Sequence, residues 1–182
     1  HGLSVEHVYQ AIDAGYTSVM FDGSKLPIEE NVALTDEVVR YAHRHHVSVE
    51  AEVGSVGGNE NGLINGIRYA SVTDAVKMAA TGIDALAAAL GSVHGDYVGR
   101  PNLNFERMAA IAAATKLPLV LHGASGIPDD QIQQAIQTGT AKININTEVN
   151  TVWTAAITKA VQAKRSGHDP QPILLAGKKA IA

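Results

Sequence analysis

Short apolar runs alternate along this chain with stretches of helical periodicity, and that alternation confines it to a parallel sheet covered by helices. Five runs read as strands: Ser18 to Phe21, Val47 to Val53, Asp84 to Leu90, Leu117 to Leu121 and Ala141 to Ile145. Helices are predicted between and after them, over Glu29 to His45, Thr73 to Ala80, Phe105 to Thr115, Pro128 to Gln137 and Thr147 to Lys164. In the first of these Val32, Val38, Val39 and Ala42 share one face, with Arg40 and Arg44 outside. Thr73 or a neighbour is the expected N-cap of the second, and Asp129 and Asp130 suit the positive end of the fourth. The glycine- and asparagine-rich stretch from Gly54 to Gly66 reads as a loop, either a lid or a binding loop. Turn residues around Gly167, Pro170 and Pro172 lead to a last short helix near Ala176 to Ile181.

Composition narrows the function classes. The chain has 182 residues, 46% hydrophobic and 18% charged, which suits one globular domain with a sizeable core. A net charge of −4 argues neither for nucleic acid nor for a membrane surface. There is no cysteine, hence no disulfide framework and no thiolate metal site, and a cytoplasmic location is expected. No apolar run reaches membrane-spanning length, and the longest, Ala85 to Leu90, has the size of a buried strand. No signal peptide is expected, and the absence of repeats and linkers makes 1–182 a single domain.

Three histidines carry the chemistry. His94 and His122 each follow an apolar run and are each followed by glycine, which puts an imidazole at a strand's C-terminal end. His1 also precedes a glycine. Three imidazoles around zinc leave a fourth position open to substrate, the catalytic arrangement and not the structural one. Asp22 and Glu52 end strands as well; beside the histidines they read as orienting groups or as an alternative metal position. Glu50 alternates to the side of Glu52 and ranks behind it as a site candidate. The other histidines, including the His43-Arg44-His45-His46 cluster, read as surface residues.

Six segments, in order across nearly the whole chain, resemble the class II, metal-dependent aldolases of sugar bisphosphates. They are Val19-Met20-Phe21-Asp22-Gly23-Ser24, Val49-Glu50-Ala51-Glu52-Val53-Gly54, Val56-Gly57-Gly58-Asn59-Glu60, Gly91-Ser92-Val93-His94-Gly95, Leu121-His122-Gly123-Ala124-Ser125-Gly126-Ile127-Pro128 and Lys142-Ile143-Asn144-Ile145-Asn146-Thr147-Glu148. The resemblance implies an α/β TIM barrel, of which this chain looks like strands 4 to 8 with the first part of the barrel absent. It implies that His1, His94 and His122 bind zinc, and that an aspartate outside this sequence precedes His1. It implies that Glu60 is the acid–base residue, carried into the site when its loop closes. The phosphate of dihydroxyacetone phosphate would lie against Gly95, Gly123, Ser125, Asn144, Asn146 and Thr147, on small-residue turns and a helix N-terminus. A monovalent cation, Na+ or K+, would be held by carbonyls of Val93, Gly95 and Gly123 and of the Gly57-Gly58 turn.

The activity so implied is reversible cleavage of a ketose bisphosphate, fructose 1,6-bisphosphate first, by a cytoplasmic homodimer or homotetramer in carbohydrate metabolism such as glycolysis. Tagatose bisphosphate and 5-dehydro-2-deoxyphosphogluconate are the alternative substrates. The family's alanine of tagatose-type members is Asn146 here, which favours the fructose type. The family's Asp-Pro-Arg, whose arginine reaches the second phosphate, is Asp169-Pro170-Gln171. A barrel that kept the fold as a non-catalytic scaffold, or a metal-dependent isomerase of a monophosphate, would be the competing readings.

Overall fold

A computed structural model describes residues 1–60, 63–163 and 168–182, with the backbone alone given at 59, 60 and 63–65. The chain divides into two compact units, His1–Asn144 and Ile145–Ala182.

The first unit begins with α1 (Val5–Asp13), β1 (Ser18–Phe21), α2 (Ile28–Arg44) and β2 (Ser48–Val53). It continues through β3 (Gly57–Glu60), β4 (Leu63–Asn65), α3 (Val72–Ala79), β5 (Ala85–Ala88), β6 (Val93–His94), α4 (Phe105–Thr115), β7 (Leu119–Leu121), α5 (Asp129–Gln137) and β8 (Thr140–Ile143). The five strands expected from the alternation form one parallel sheet in the order β1-β2-β5-β7-β8. Gly2 adds a parallel bridge to Phe21, so His1 stands beside the end of β1.

The register puts two chemistries on β2. Val49, Ala51 and Val53 join the core with Val38, Val39, Ala42, Ala75 and Met78 from the covering helices. Glu50 and Glu52 alternate to the opposite face, and both are buried. Burial on both faces is what a parallel sheet demands of its strands. Two carboxylates in such a strand must therefore be satisfied by neighbours on the far face.

Several local features differ from the sequence-based expectations. α1 has a clear signal in Val5, Val8 and Ile12 with Ser4 as N-cap, its hydroxyl accepting from the His7 N–H. α3 starts at Val72, capped by Ser71 and not by Thr73. The Gly54–Gly66 stretch is not a bare loop: β3 and β4 form a hairpin, and β6 pairs with β3 in parallel to complete a second, three-stranded sheet. Consequently His94 does not end a strand of the main sheet. Gly91, at φ +111, turns the chain after β5 and passes it to β6. Ser125 and Gly123 stay in the turn after β7 as expected.

The second unit holds α6 (Thr147–Gln162) and α7 (Gln171–Ala180), packed on each other. Gly177 lets α7 close on Trp153, since a side chain there would collide with the indole. No helix among the described residues is long and apolar enough to cross a membrane.

Candidate metal centre

Three histidines distant in sequence meet over the sheet. The ring centroids of His1 and His122 lie 4.7 Å apart, those of His1 and His94 5.4 Å, and those of His94 and His122 5.9 Å. One ring nitrogen from each falls within 4.8 Å of the others. Each reaches the centre by a different route. His1 is carried by the Gly2 bridge to β1, with Gly2 N–H donating to Met20 O and Asp22 N–H to Gly2 O. His94 is carried by β6, whose pairing with β3 depends on Gly58; a side chain at Gly58 would run into the His94 carbonyl. His122 follows β7 directly, and Gly123 after it lies too close to the Val93 carbonyl for any side chain.

The outer nitrogens of two of these rings are taken by carboxylates. His1 Nδ1 is 3.0 Å from Asp22 Oδ2, and His122 Nε2 is 2.7 Å from Glu50 Oε1. The remaining nitrogens, His1 Nε2 and His122 Nδ1, face each other at 3.0 Å. Two nitrogens bound to one tetrahedral zinc stand about 3.3 Å apart, so this pair is near the spacing a metal requires. Asn144 Nδ2 lies 3.5 and 3.4 Å from Nδ1 and Nε2 of His122, shared between them.

Below the histidines the charge is unbalanced. Glu50 Oε2 accepts from Lys142 Nζ at 2.6 Å, whereas Glu52 and Asp22 have no lysine or arginine as an ion-pair partner among the described residues. Burial raises the Asp22 pKa, but hydrogen bonds from His1 and Ser24 outweigh it and hold the group at about 2. Burial and the neighbouring Asp22 charge push Glu52 up to about 7. Burial likewise raises Glu50, and its bonds with His122 and Lys142 overcome that and leave it below the usual carboxylate range. Glu52 Oε1 accepts from Val56 N–H at 3.1 Å, while its Oε2, 4.0 Å from His1 Nδ1, is buried with no hydrogen-bond partner among the described residues. An orphaned buried carboxylate oxygen beside three imidazoles fits a divalent cation, which would neutralise it. His1, Asp22 and Glu52 also form a second group able to hold a metal ion.

The other expected site residues are distributed unevenly. Asn144 reaches the centre. Val93 and Gly123 are tied by Tyr97, a residue with no local mark that singles it out. Its hydroxyl accepts from Val93 N–H at 3.0 Å and donates to Gly123 O at 2.8 Å. Gly95 has φ +90 and Ser125 is buried. Asn146 and Thr147 belong to the second unit, where Asn146 precedes α6 and its Oδ1 accepts from Asn150. Glu60 lies in β3, but its side chain is outside the described residues. His43 and His45, expected at the surface, are exposed and bond Asp84 and the Tyr41 carbonyl. A further supporting residue is Asn31, buried in α2, whose amide donates to Glu52 O at 2.9 Å and fixes the end of β2.

The family model for fructose-bisphosphate aldolase class-II matches residues 1–182. The chain belongs to the class II fructose-bisphosphate aldolase family. It is 56% identical, over its full 182 residues, to the 6-phospho-5-dehydro-2-deoxy-D-gluconate aldolase of Bacillus subtilis, and spans 63% of that protein. It is 51% identical to a fructose-bisphosphate aldolase of Staphylococcus aureus and spans 64% of it. Among solved structures, the YdjI aldolase of Escherichia coli superimposes with a TM-score of 0.79 at 35% identity, covering 100% of this chain and 64% of that one. The five-stranded parallel sheet is thus part of the TIM barrel of class II aldolases.

Proposed function

We propose that this chain supplies the metal centre and part of the substrate site of a zinc-dependent aldolase, a lyase that cleaves a phosphorylated ketose to dihydroxyacetone phosphate and an aldehyde. The observation that carries the reading is the trio of histidines, His1, His94 and His122, one ring nitrogen of each converging, with the outer nitrogens of His1 and His122 held by carboxylates. These three would hold zinc, and Asp22 with Glu52 would orient them or offer the second position. Bound there, the metal would act as a Lewis acid toward the substrate's carbonyl oxygen and stabilise the negative charge that develops as the carbon–carbon bond breaks. The chain's own residues do the rest. Asp22 holds His1 in place, and Gly95, Gly123, Ser125 and Asn144 would bind the phosphate through backbone N–H groups and short side chains. Glu60 would exchange the proton on the three-carbon fragment. Carbonyls of Val93, Gly95 and Gly123 would hold a monovalent cation, and Tyr97 donates to that of Gly123. Residues 1–182 would act as one catalytic barrel domain, in a cytoplasmic homo-oligomer.

The relatives bear on the substrate. In 6-phospho-5-dehydro-2-deoxy-D-gluconate the ketone at C5 and the hydroxyl at C3 make a β-hydroxyketone. Breaking C3–C4 yields dihydroxyacetone phosphate and a three-carbon aldehyde acid. That substrate carries one phosphate, and the chain has Gln171 in place of the family's phosphate-reaching arginine. The first relatives carry the same name. We therefore place this substrate ahead of fructose 1,6-bisphosphate, with the tagatose isomer third. Parallel cleavage assays on the complete gene product, before and after chelation and with zinc added back, test both mechanism and substrate.

A further inference from the structure

Glu50 holds the outer nitrogen of His122, and its full set of partners gives it a more specific role. It is 5% exposed, on β2, and each of its oxygens has a separate partner: Oε1 His122 Nε2 at 2.7 Å, Oε2 Lys142 Nζ at 2.6 Å. An ammonium can only donate, so Oε2 is an acceptor, and a carboxylate that is charged against lysine accepts at Oε1 as well. The proton between Oε1 and His122 must then reside on Nε2. A neutral imidazole protonated on Nε2 has its lone pair on Nδ1, the nitrogen that faces His1 Nε2 at 3.0 Å. Asn144 cannot set the tautomer in the same way, because its amide is shared between the two ring nitrogens.

We infer that Glu50, braced by Lys142 from β8, is a positioning residue that fixes the His122 proton on Nε2 and presents its Nδ1 lone pair to the three-histidine centre. The inference rests on the metal-dependent reading above. It links three strands of the sheet, β2, β7 and β8, through one side-chain chain, Lys142–Glu50–His122. It also gives Lys142 a role as counter-charge and not as a nucleophile.

The test uses the complete, metal-free protein labelled with nitrogen-15 at histidine, the His122 signals being assigned by their loss in His122→Asn. Wild-type His122 should show the signature of a ring that carries a proton on Nε2. In Glu50→Gln, whose amide can donate as well as accept, the Nδ1-protonated form should appear. Affinity for zinc, measured against a competing chelator, should fall about 10–100-fold. Lys142→Gln, at an exposed side chain and so safe for folding, should shift both readouts in the same direction by less. A wild-type ring protonated on Nδ1 with Nε2 bare overturns the inference without any variant being needed. So does a folded Glu50→Gln with unchanged ring signature and unchanged zinc affinity. A wild-type protein that takes up no zinc overturns the function proposed above, whereas the ring signature of that same protein still decides the role of Glu50.

Discussion

At His1 and His122 a carboxylate holds the nitrogen that points away from the neighbouring imidazole, and the inner nitrogens converge. Replacing His94 or His122 with alanine should abolish stoichiometric zinc binding and lower kcat about a thousandfold or more, since a Lewis acid contributes several kcal/mol to such a step. Metal analysis of the purified variant beside a turnover assay checks this. Glu52 supplies a pH signature. Its folded pKa of about 7 stands above its ordinary 4.5, so the metal-free folded protein keeps a proton that the unfolded chain releases. That contribution is full below about 4.5 and is lost as pH rises toward 7. Asp22, held at about 2 against an ordinary 3.8, runs the other way: its contribution is present above about 3.8 and is lost as pH falls toward 2. Urea midpoints of the metal-free protein should therefore decline between pH 5 and 7, and Glu52→Gln should flatten that decline. Zinc affinity should rise over the same interval as the Glu52 proton is given up.

Elements set the precision of the centre. Tyr97→Phe removes the hydroxyl that ties Val93 N–H to Gly123 O, and should cost about 1–3 kcal/mol through the groups left unpaired. Denaturant melts measure it. Gly58→Ala, at φ +97 and against the His94 carbonyl, should uncouple β3 from β6 and weaken zinc binding, because His94 rides on that pairing. The five main strands and the helices over 105–115 and 128–137 were legible because apolar runs and 3.6-residue periodicity are written locally. The hairpin β3–β4 was not: β3 is glycine, asparagine and glutamate, which read as loop, β4 is only Leu63-Ile64-Asn65, and the third strand of their sheet, β6, lies far on in the sequence. The same holds within the site. His94 and His122 could be picked out by a glycine after an apolar run, whereas Tyr97 and Asn31 act through neighbours 26 and 21 residues away and carry no local mark. Glu50 was visible as alternating with Glu52, but its pairing with Lys142, 92 positions on, belongs to the sheet order.

At the largest scale, the first unit joins a main sheet buried by helices to a small second sheet, and the candidate metal centre draws on both. His122 follows a strand of one, and His94 lies in a strand of the other. The core that fixes them is ordinary in kind: Ile111→Ala, at a fully buried position of α4, should destabilise the fold by about 2–5 kcal/mol in chemical denaturation. Since the chain spans 63% of its Bacillus subtilis relative, turnover is a property to be measured on the complete gene product. The most direct measurement is cleavage of 6-phospho-5-dehydro-2-deoxy-D-gluconate by that protein, followed as release of dihydroxyacetone phosphate before chelation, after it, and with zinc restored. Cleavage that chelation abolishes and zinc restores is the predicted result. Cleavage that survives complete removal of metal would contradict the three-histidine centre as the seat of the chemistry.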